Sequence, residues 1–147
     1  MIILDKTYSS KKIGFIAGAF DIIHPGYILA FSYAKKTCEY LVVAIHDDPS
    51  NERTDKMNTI LSLFERQIIF SSLKNVDEIL FYKTEEELKR ILKVLKPDIR
   101  YLGDDYKDKE IIGSDIDINN NTAYIYLDRS HGWSATEMKN RIKEGFE

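Results

Sequence analysis

Apolar residues in this chain come in two arrangements, short solid runs and spaced repeats, and the two alternate along its length. The runs are Ile13, Phe15, Ile16 and Ala17, set around Gly14 and closed by Gly18, then Tyr40 to Ile45, Ile79 to Tyr82, Ile99 to Leu102 and Ala123 to Leu127. Short runs without polar alternation predict strands buried on both faces, the habit of a parallel sheet. The repeats follow helical spacing. Ile28, Leu29, Phe31, Ala34 and Cys38 form one, with Lys35 and Lys36 at the carboxyl end that favours cations. Leu63, Phe64, Ile68, Ile69 and Leu73 form a second, opened by the capping box Ser62 to Glu65 and running to about Lys74. Leu88, Ile91, Leu92 and Leu95 form a third, opened by Thr84 to Glu87 and stopped by Lys96-Pro97. A last box, Ser134 to Glu137, opens a C-terminal helix, whereas Ile111 to Asn121 reads as a surface connection. The alternation predicts an α/β fold: a doubly wound, five-stranded parallel sheet with helices on both faces. Its ligand crevice belongs at the carboxyl ends, where strand order reverses.

Length and charge narrow the class. At 147 residues the chain reads as one domain, able to bury about two thirds of its unfolded surface without staples, with Met1 to Lys12 a polar lead-in whose apolar start could add an edge strand. The single Cys38 has no internal disulfide partner and fits a small core residue in a reducing compartment. No stretch is long enough for a membrane span, and Met1 to Leu4 is too short for a signal peptide, so a cytoplasmic location is expected. A net charge of −3 argues against a general nucleic-acid binder, which needs a concentrated basic face.

Candidate chemistry gathers at two strand-to-helix turns. After the first run, Gly18 lets the backbone turn, Pro25 suits the first helical position and His24 falls at the N-cap, with Tyr27 three residues on. Free N–H groups and the positive end of the helix dipole make that mouth an anion site before any side chain is counted. The second turn, Arg129 to Thr136, again follows an apolar run, contains Gly132 and opens a helix. Arg129 offers forked donors that match phosphate oxygens. Trp133 reads either as the wall of a base pocket or as packing, and His131 as a loop histidine. The polar stretch His46 to Thr59 holds Arg53 and Lys56 and is long enough to lie over a ligand. Its start, His46, Asp47 and Asp48, reads as a strand-end turn in preference to a metal cluster. Arg66 sits in the first turn of its helix, where the dipole disfavours a cation, which suggests a ligand or partner carboxylate. The sequence has neither G-x-G-x-x-G nor G-x-x-x-x-G-K-[ST], so dinucleotide oxidoreductases and P-loop enzymes are not favoured.

Set together, these segments resemble a known family. GAFDIIHPGY is similar to the G-x-F-D-x-x-H-x-G-H signature of the cytidylyltransferase-type nucleotidyltransferases, and RSHGWSAT to their R-T-x-G-x-S-T signature. Glu65-Arg66, Asn75 to Glu78 and Gly103 to Tyr106 fall between them in the order of the glycerol-3-phosphate cytidylyltransferase branch, so the resemblance runs from Ile13 to about Ile142. It implies a Rossmann-like nucleotidyltransferase domain that moves CMP from CTP to a phosphorylated small alcohol, releases pyrophosphate, uses Mg2+ with the nucleotide and forms a homodimer. Carried over residue by residue, it makes His24, Lys56 and Arg129 catalytic, with Arg53 the reserve for Lys56. Gly18, Ala19, Phe20, Asp21, Gly26, Tyr27, Gly132, Trp133, Ser134 and Thr136 join His24 and Arg129 around the nucleotide. Asp104, Asp105 and Arg66 fall on the acceptor side, and no residue is assigned to a protein-held metal. Two departures stand out. Tyr27 replaces the second signature histidine and brings no positive charge, and Ser130 and Ala135 replace hydroxyl residues of the second signature. Two other readings stay open: an adenylyltransferase of the same superfamily using ATP and a heptose phosphate-like acceptor, and a nucleotide-binding module whose chemistry is impaired through Tyr27.

Overall fold

The strand run Leu41 to Ile45 shows why the apolar runs are solid. Leu41, Val43 and Ile45 enter one core cluster, Val42 and Ala44 enter another, and all five are fully buried. A sheet covered on both sides leaves no polar face for alternation to mark. The computed structural model describes residues 10–48 and 59–146. Lys56, Arg53 and most of the lead-in lie outside the described residues.

The five expected strands are β1 Ile13–Gly18, β2 Tyr40–His46, β3 Glu78–Tyr82, β4 Ile99–Gly103 and β5 Ala123–Leu127. They pair in parallel in the order β3-β2-β1-β4-β5. Helices α1 Pro25–Thr37 and α2 Leu63–Ser71 bury Phe31, Ala34 and Phe70 on one face. On the other face lie α3 Glu85–Leu95 and α4 Ser114–Asn120, through Leu88, Ile91, Leu92, Leu95 and Ile116. A final helix, α5 Ala135–Gly145, follows β5. The fold is therefore the Rossmann-like α/β arrangement that the sequence predicts. No helix among the described residues is long and apolar enough to cross a membrane.

Local signals set the helix ends. Ser62 and Glu65 make both hydrogen bonds of a capping box at α2. That helix stops at Ser71, short of the expected Lys74, where Ser71 Oγ and Ser72 Oγ both donate to the Ile68 carbonyl at 3.2 and 2.9 Å and compete with the backbone ladder. The free thiol of Cys38 is buried in the first core cluster, as expected.

The stretch Ile111 to Asn121 corrects its sequence reading. It carries α4, which has no side-chain cap and starts from Gly113 at φ 83°, so the usual capping signature is missing. Ile116 is buried while Ile118 is exposed, and Asp117 is almost completely enclosed. Its Oδ2 accepts from Arg100 Nη1 of β4 at 2.8 Å and from the Tyr124 hydroxyl of β5. Arg100 Nη1 also donates to the Ile112 carbonyl at 2.6 Å. The polar side chain that makes this stretch look like surface is the one that ties it to the sheet.

Strand order reverses between β1 and β4, so the crevice opens at their carboxyl ends. From β1 the chain enters the turn to His24, and from β5 it enters the loop that begins at Asp128.

Candidate active site

The turn after β1 is built around a buried imidazole. His24 caps α1 in extended conformation, and its Nδ1 accepts the Gly26 N–H at 3.1 Å. With Nδ1 used as an acceptor, the neutral ring carries its proton on Nε2. That Nε2 is buried with no hydrogen-bond partner among the described residues, and the side chain lines a cleft of about 980 Å³. Burial lowers the His24 pKa, and the charges of His131 and then Arg129 lower it further, which keeps the ring a neutral donor near pH 7. An enclosed donor aimed into a cleft is a group waiting for an acceptor from a ligand.

Arg129 lines the same cleft from the loop after β5, with its side chain 45% exposed. Ser134 caps α5, its Oγ accepting the Glu137 N–H at 3.0 Å, and Thr136 follows in the first turn; both line the cleft. The hydroxyl proton of Ser134 remains available, so capping and ligand contact coexist. Two helix N-termini, those of α1 and α5, thus meet one cavity together with a guanidinium and an imidazole. The structure brings together the two distant segments that the sequence reading joined.

Gly18, Ala19, Phe20, Asp21 and Gly26 also line this cleft. A methyl group on Gly18 would lie 3.2 Å from the Phe20 ring, but Phe20 itself takes the left-handed backbone, at φ 49°. Gly132 supplies the other left-handed turn, at φ 79°, and does not line the cavity. Tyr27 lines the cleft, yet its ring packs 5.0 Å from Phe20 and 6.0 Å from Phe70, and 3.8 Å from the His24 ring. Burial, then the charge of Asp21, pushes its pKa up to about 12, so the phenol stays protonated. Trp133 lines the cleft, stacks 5.2 Å from His131 and borders an apolar depression with Ile23, Pro25, Ile28 and Leu29, so it both walls the cavity and packs.

Asp21 organises the approach to the cleft. It is 2% exposed, accepts the N–H groups of Ile60 and Leu61 at 2.7 and 2.8 Å, and pairs with Lys139 Nζ of α5 at 2.8 Å. Burial alone raises its pKa, but the Lys139 contact and the two backbone bonds outweigh it and hold the carboxyl below its usual range. As pH falls, the unfolded chain therefore takes up this proton first. The stabilisation is complete above the ordinary aspartate value and is lost as pH drops through the lowered folded value. Asp21→Asn is expected to melt below the wild type by a constant margin above about pH 5, a margin that narrows below about pH 4. Thermal melts of both proteins across that range check it, and a margin independent of pH would remove Asp21 from the account.

Lys139 was not singled out from the sequence. Its signal was available, because Thr136 and Lys139 stand three apart in a helix and so share a face.

Three expected acceptor-side residues have other work. Arg66 is fully buried, and its guanidinium donates to the carbonyls of Ala19 at 2.8 Å, His46 at 2.6 Å, Asp47 at 2.5 Å and Ser62 at 3.3 Å. No substrate carboxylate is needed to explain its place; backbone oxygens supply the partner that the dipole misfit suggested. Asp104 and Asp105 stand against Arg129: Asp104 Oδ2 accepts its backbone N–H at 3.4 Å, and Asp105 Oδ1 lies 3.5 Å from its Nη1. Neither lines the cleft; both lie beside Arg129. His46 stacks 4.7 Å from Tyr82 and bonds the Lys83 carbonyl through Nε2, as a strand-end turn would have it. Among the described residues no three His, Cys, Asp or Glu side chains form a group that could hold a metal ion.

Comparison with known proteins agrees with this geometry. The cytidylyltransferase-like family model matches residues 15–141. The chain is similar to the bifunctional protein HldE of Gluconacetobacter diazotrophicus, 29% identical over 133 residues, which are 90% of this chain and 27% of that protein. HldE of Campylobacter concisus is 34% identical over 135 residues, 91% of this chain and 28% of that protein. The chain spans less than a third of the length of these curated relatives. Among solved structures it is similar to a lipopolysaccharide core biosynthesis protein from Thermoplasma volcanium, at 25% identity and TM-score 0.63, covering 81% of this chain and 96% of that one. Pantothenate synthetase from Thermus thermophilus, 12% identical with TM-score 0.56 over 80% of this chain and 55% of that one, shares the fold.

Proposed function

Because the chain belongs to the cytidylyltransferase-like family of nucleotidyltransferases, we propose that it transfers a nucleoside monophosphate from a nucleoside triphosphate to a sugar phosphate, with ATP and a heptose phosphate-like acceptor as the leading pair. The observation that carries nucleotidyl transfer is the cleft shared by the unpartnered Nε2 of His24 and the guanidinium of Arg129. The acceptor class is supported by the relatives: HldE proteins and a lipopolysaccharide core biosynthesis protein. Of the readings open at the sequence level, the adenylyl one fits these relatives.

A phosphate oxygen of the acceptor attacks the α-phosphorus, forming one P–O bond as the bond to pyrophosphate breaks in line. The chain's part is position and charge. His24 Nε2–H donates to the α-phosphate on the leaving-group side. Arg129 spans phosphate oxygens, and Ser134 with Thr136 receives the β- and γ-phosphates at the mouth of α5. Lys56 remains the candidate triphosphate contact from the loop outside the described residues. Magnesium enters with the nucleotide, because adjacent phosphates must be partly neutralised, and Asp21 at the turn after β1 is already taken up by Lys139, Ile60 and Leu61. The homodimer stays part of the proposal, by family likeness.

A second reading, CMP transfer from CTP to a glycerol 3-phosphate-like alcohol, is supported by the RSHGWSAT segment and by the family model itself. Pyrophosphate release measured with ATP and with CTP, each across heptose phosphates and glycerol 3-phosphate, decides between them. ATP-dependent release with a heptose phosphate is the expected result. Release only with CTP and glycerol 3-phosphate selects the second reading, and nucleotide binding without release on any acceptor selects the impaired module.

A further inference from the structure

The position where the family signature carries its second histidine is Tyr27, and its ring is committed to the aromatic cluster of Phe20, Phe31 and Phe70. The mouth of α1 nevertheless has two imidazoles. A methyl group placed on Gly26 would lie 2.8 Å from His24 Cε1 and 2.9 Å from His131 Cε1. Only a residue without a side chain fits between the two rings. His131 comes from the loop after β5 and lines the same cleft as His24.

The two rings are also held in the same manner. His24 Nδ1 accepts the N–H of Gly26, two residues on, and His131 Nδ1 accepts the N–H of Trp133, two residues on, at 2.9 Å. Each bond fixes Nδ1 as the acceptor and leaves the proton of the neutral ring on Nε2. Stacking on Trp133, which in turn borders Pro25 and Ile28 of α1, fixes the plane of the His131 ring. A free loop histidine needs none of this.

We infer that His131 supplies the second imidazole donor to the triphosphate, from the opposite loop, in place of the histidine that Tyr27 displaces. The inference rests on the proposed nucleotidyl transfer and assigns one more phosphate-holding residue to that site. It also gives a reason why Tyr27 does not by itself abolish the site: the lost donor is restored from a different segment.

Two variants separate the donor from the loop turn. In His131→Asn the side-chain oxygen can still accept the Trp133 N–H, but nothing reaches where Nε2 stood. In His131→Gln the amide nitrogen reaches that place. Calorimetric titration with Mg-ATP and Mg-CTP, and pyrophosphate release, are measured for the wild type and both variants. H131N is expected to lose about tenfold or more in triphosphate affinity and on the order of a hundredfold in kcat/KM, with H131Q recovering most of both. Wild-type binding that H131N leaves unchanged, or an H131Q as weak as H131N, overturns the role of His131 while nucleotidyl transfer stands. A wild type that neither binds nucleotide nor releases pyrophosphate overturns both. One measurement needs no variant: on adding Mg-nucleotide to the wild type, the imidazole nitrogen resonances of His24 and His131 are expected to shift together. His131 resonances that stay still while those of His24 move overturn the inference.

Discussion

His24→Ala is expected to lose a hundredfold to a thousandfold in turnover, the order found when one preorganised donor to a transition-state oxyanion is removed. The magnitude follows from where the donor sits. Nε2 is enclosed, has no partner among the described residues, and belongs to a ring whose pKa is lowered by burial, so it meets the developing charge without reorganising water. His24 is also the N-cap of α1, and losing that cap costs about 1 kcal/mol. The two roles separate in His24→Asn, whose side-chain oxygen can still accept the Gly26 N–H while the distal donor is gone. Its melting temperature is expected to match the wild type and its turnover to fall as far as that of the alanine variant. Steady-state pyrophosphate release and a thermal melt check both, and turnover within threefold of wild type would take His24 out of the chemistry.

Arg66→Met is expected to give the largest loss of stability, roughly 3 kcal/mol or more and so a drop of about 10 °C in melting temperature. Methionine fills much of the volume, so the loss measures hydrogen bonds more than a cavity. Three carbonyls, those of Ala19, His46 and Asp47, lose their shared donor around a fully buried guanidinium, while the Ser62 carbonyl keeps the Arg66 backbone N–H at 3.0 Å. Each buried acceptor left bare costs on the order of 1 to 3 kcal/mol before relaxation. Arg66→Lys is expected to recover little, because a single ammonium on a flexible stem cannot span acceptors from three chain segments. Urea unfolding of the three proteins checks this, and a loss under 1 kcal/mol for the methionine variant would mean that the guanidinium is not the brace described here. The effect reaches the site, since Ala19 and His46 both line the cleft.

The fold was legible because its signals are repeated. Solid runs at β1 to β5 and side-chain N-caps at α2, α3 and α5 each state the same α/β alternation, and both cleft-lining turns follow a run and precede a helix. What the sequence hid is what depends on a distant partner. Asp117 looked like surface until Arg100, seventeen residues earlier, and Tyr124 were placed beside it. Arg66 looked poised for a ligand because carbonyl acceptors carry no signature in a sequence. Asp104 and Asp105 follow a strand end as acceptor-pocket residues do, and only the path of the loop after β5 shows that Arg129 lies against them. His131 looked like a loop histidine because its neighbour His24 is over a hundred positions away in the chain. At the candidate site, the residues of the two signatures that line the cleft were legible from the turns that carry them, while the supports, Lys139 and the Asp21 bonds to Ile60 and Leu61, are tertiary.

Calorimetric titration of Mg-nucleotide into wild type, His24→Asn and Arg129→Ala, repeated with inorganic tripolyphosphate as competitor, tests most directly whether these two segments grip one triphosphate. One saturable site is expected, displaced by tripolyphosphate and weakened about tenfold or more in either variant, as for a lost hydrogen bond to a charged group. Nucleotide bound equally well by all three proteins, or bound without competition from tripolyphosphate, would contradict the shared grip.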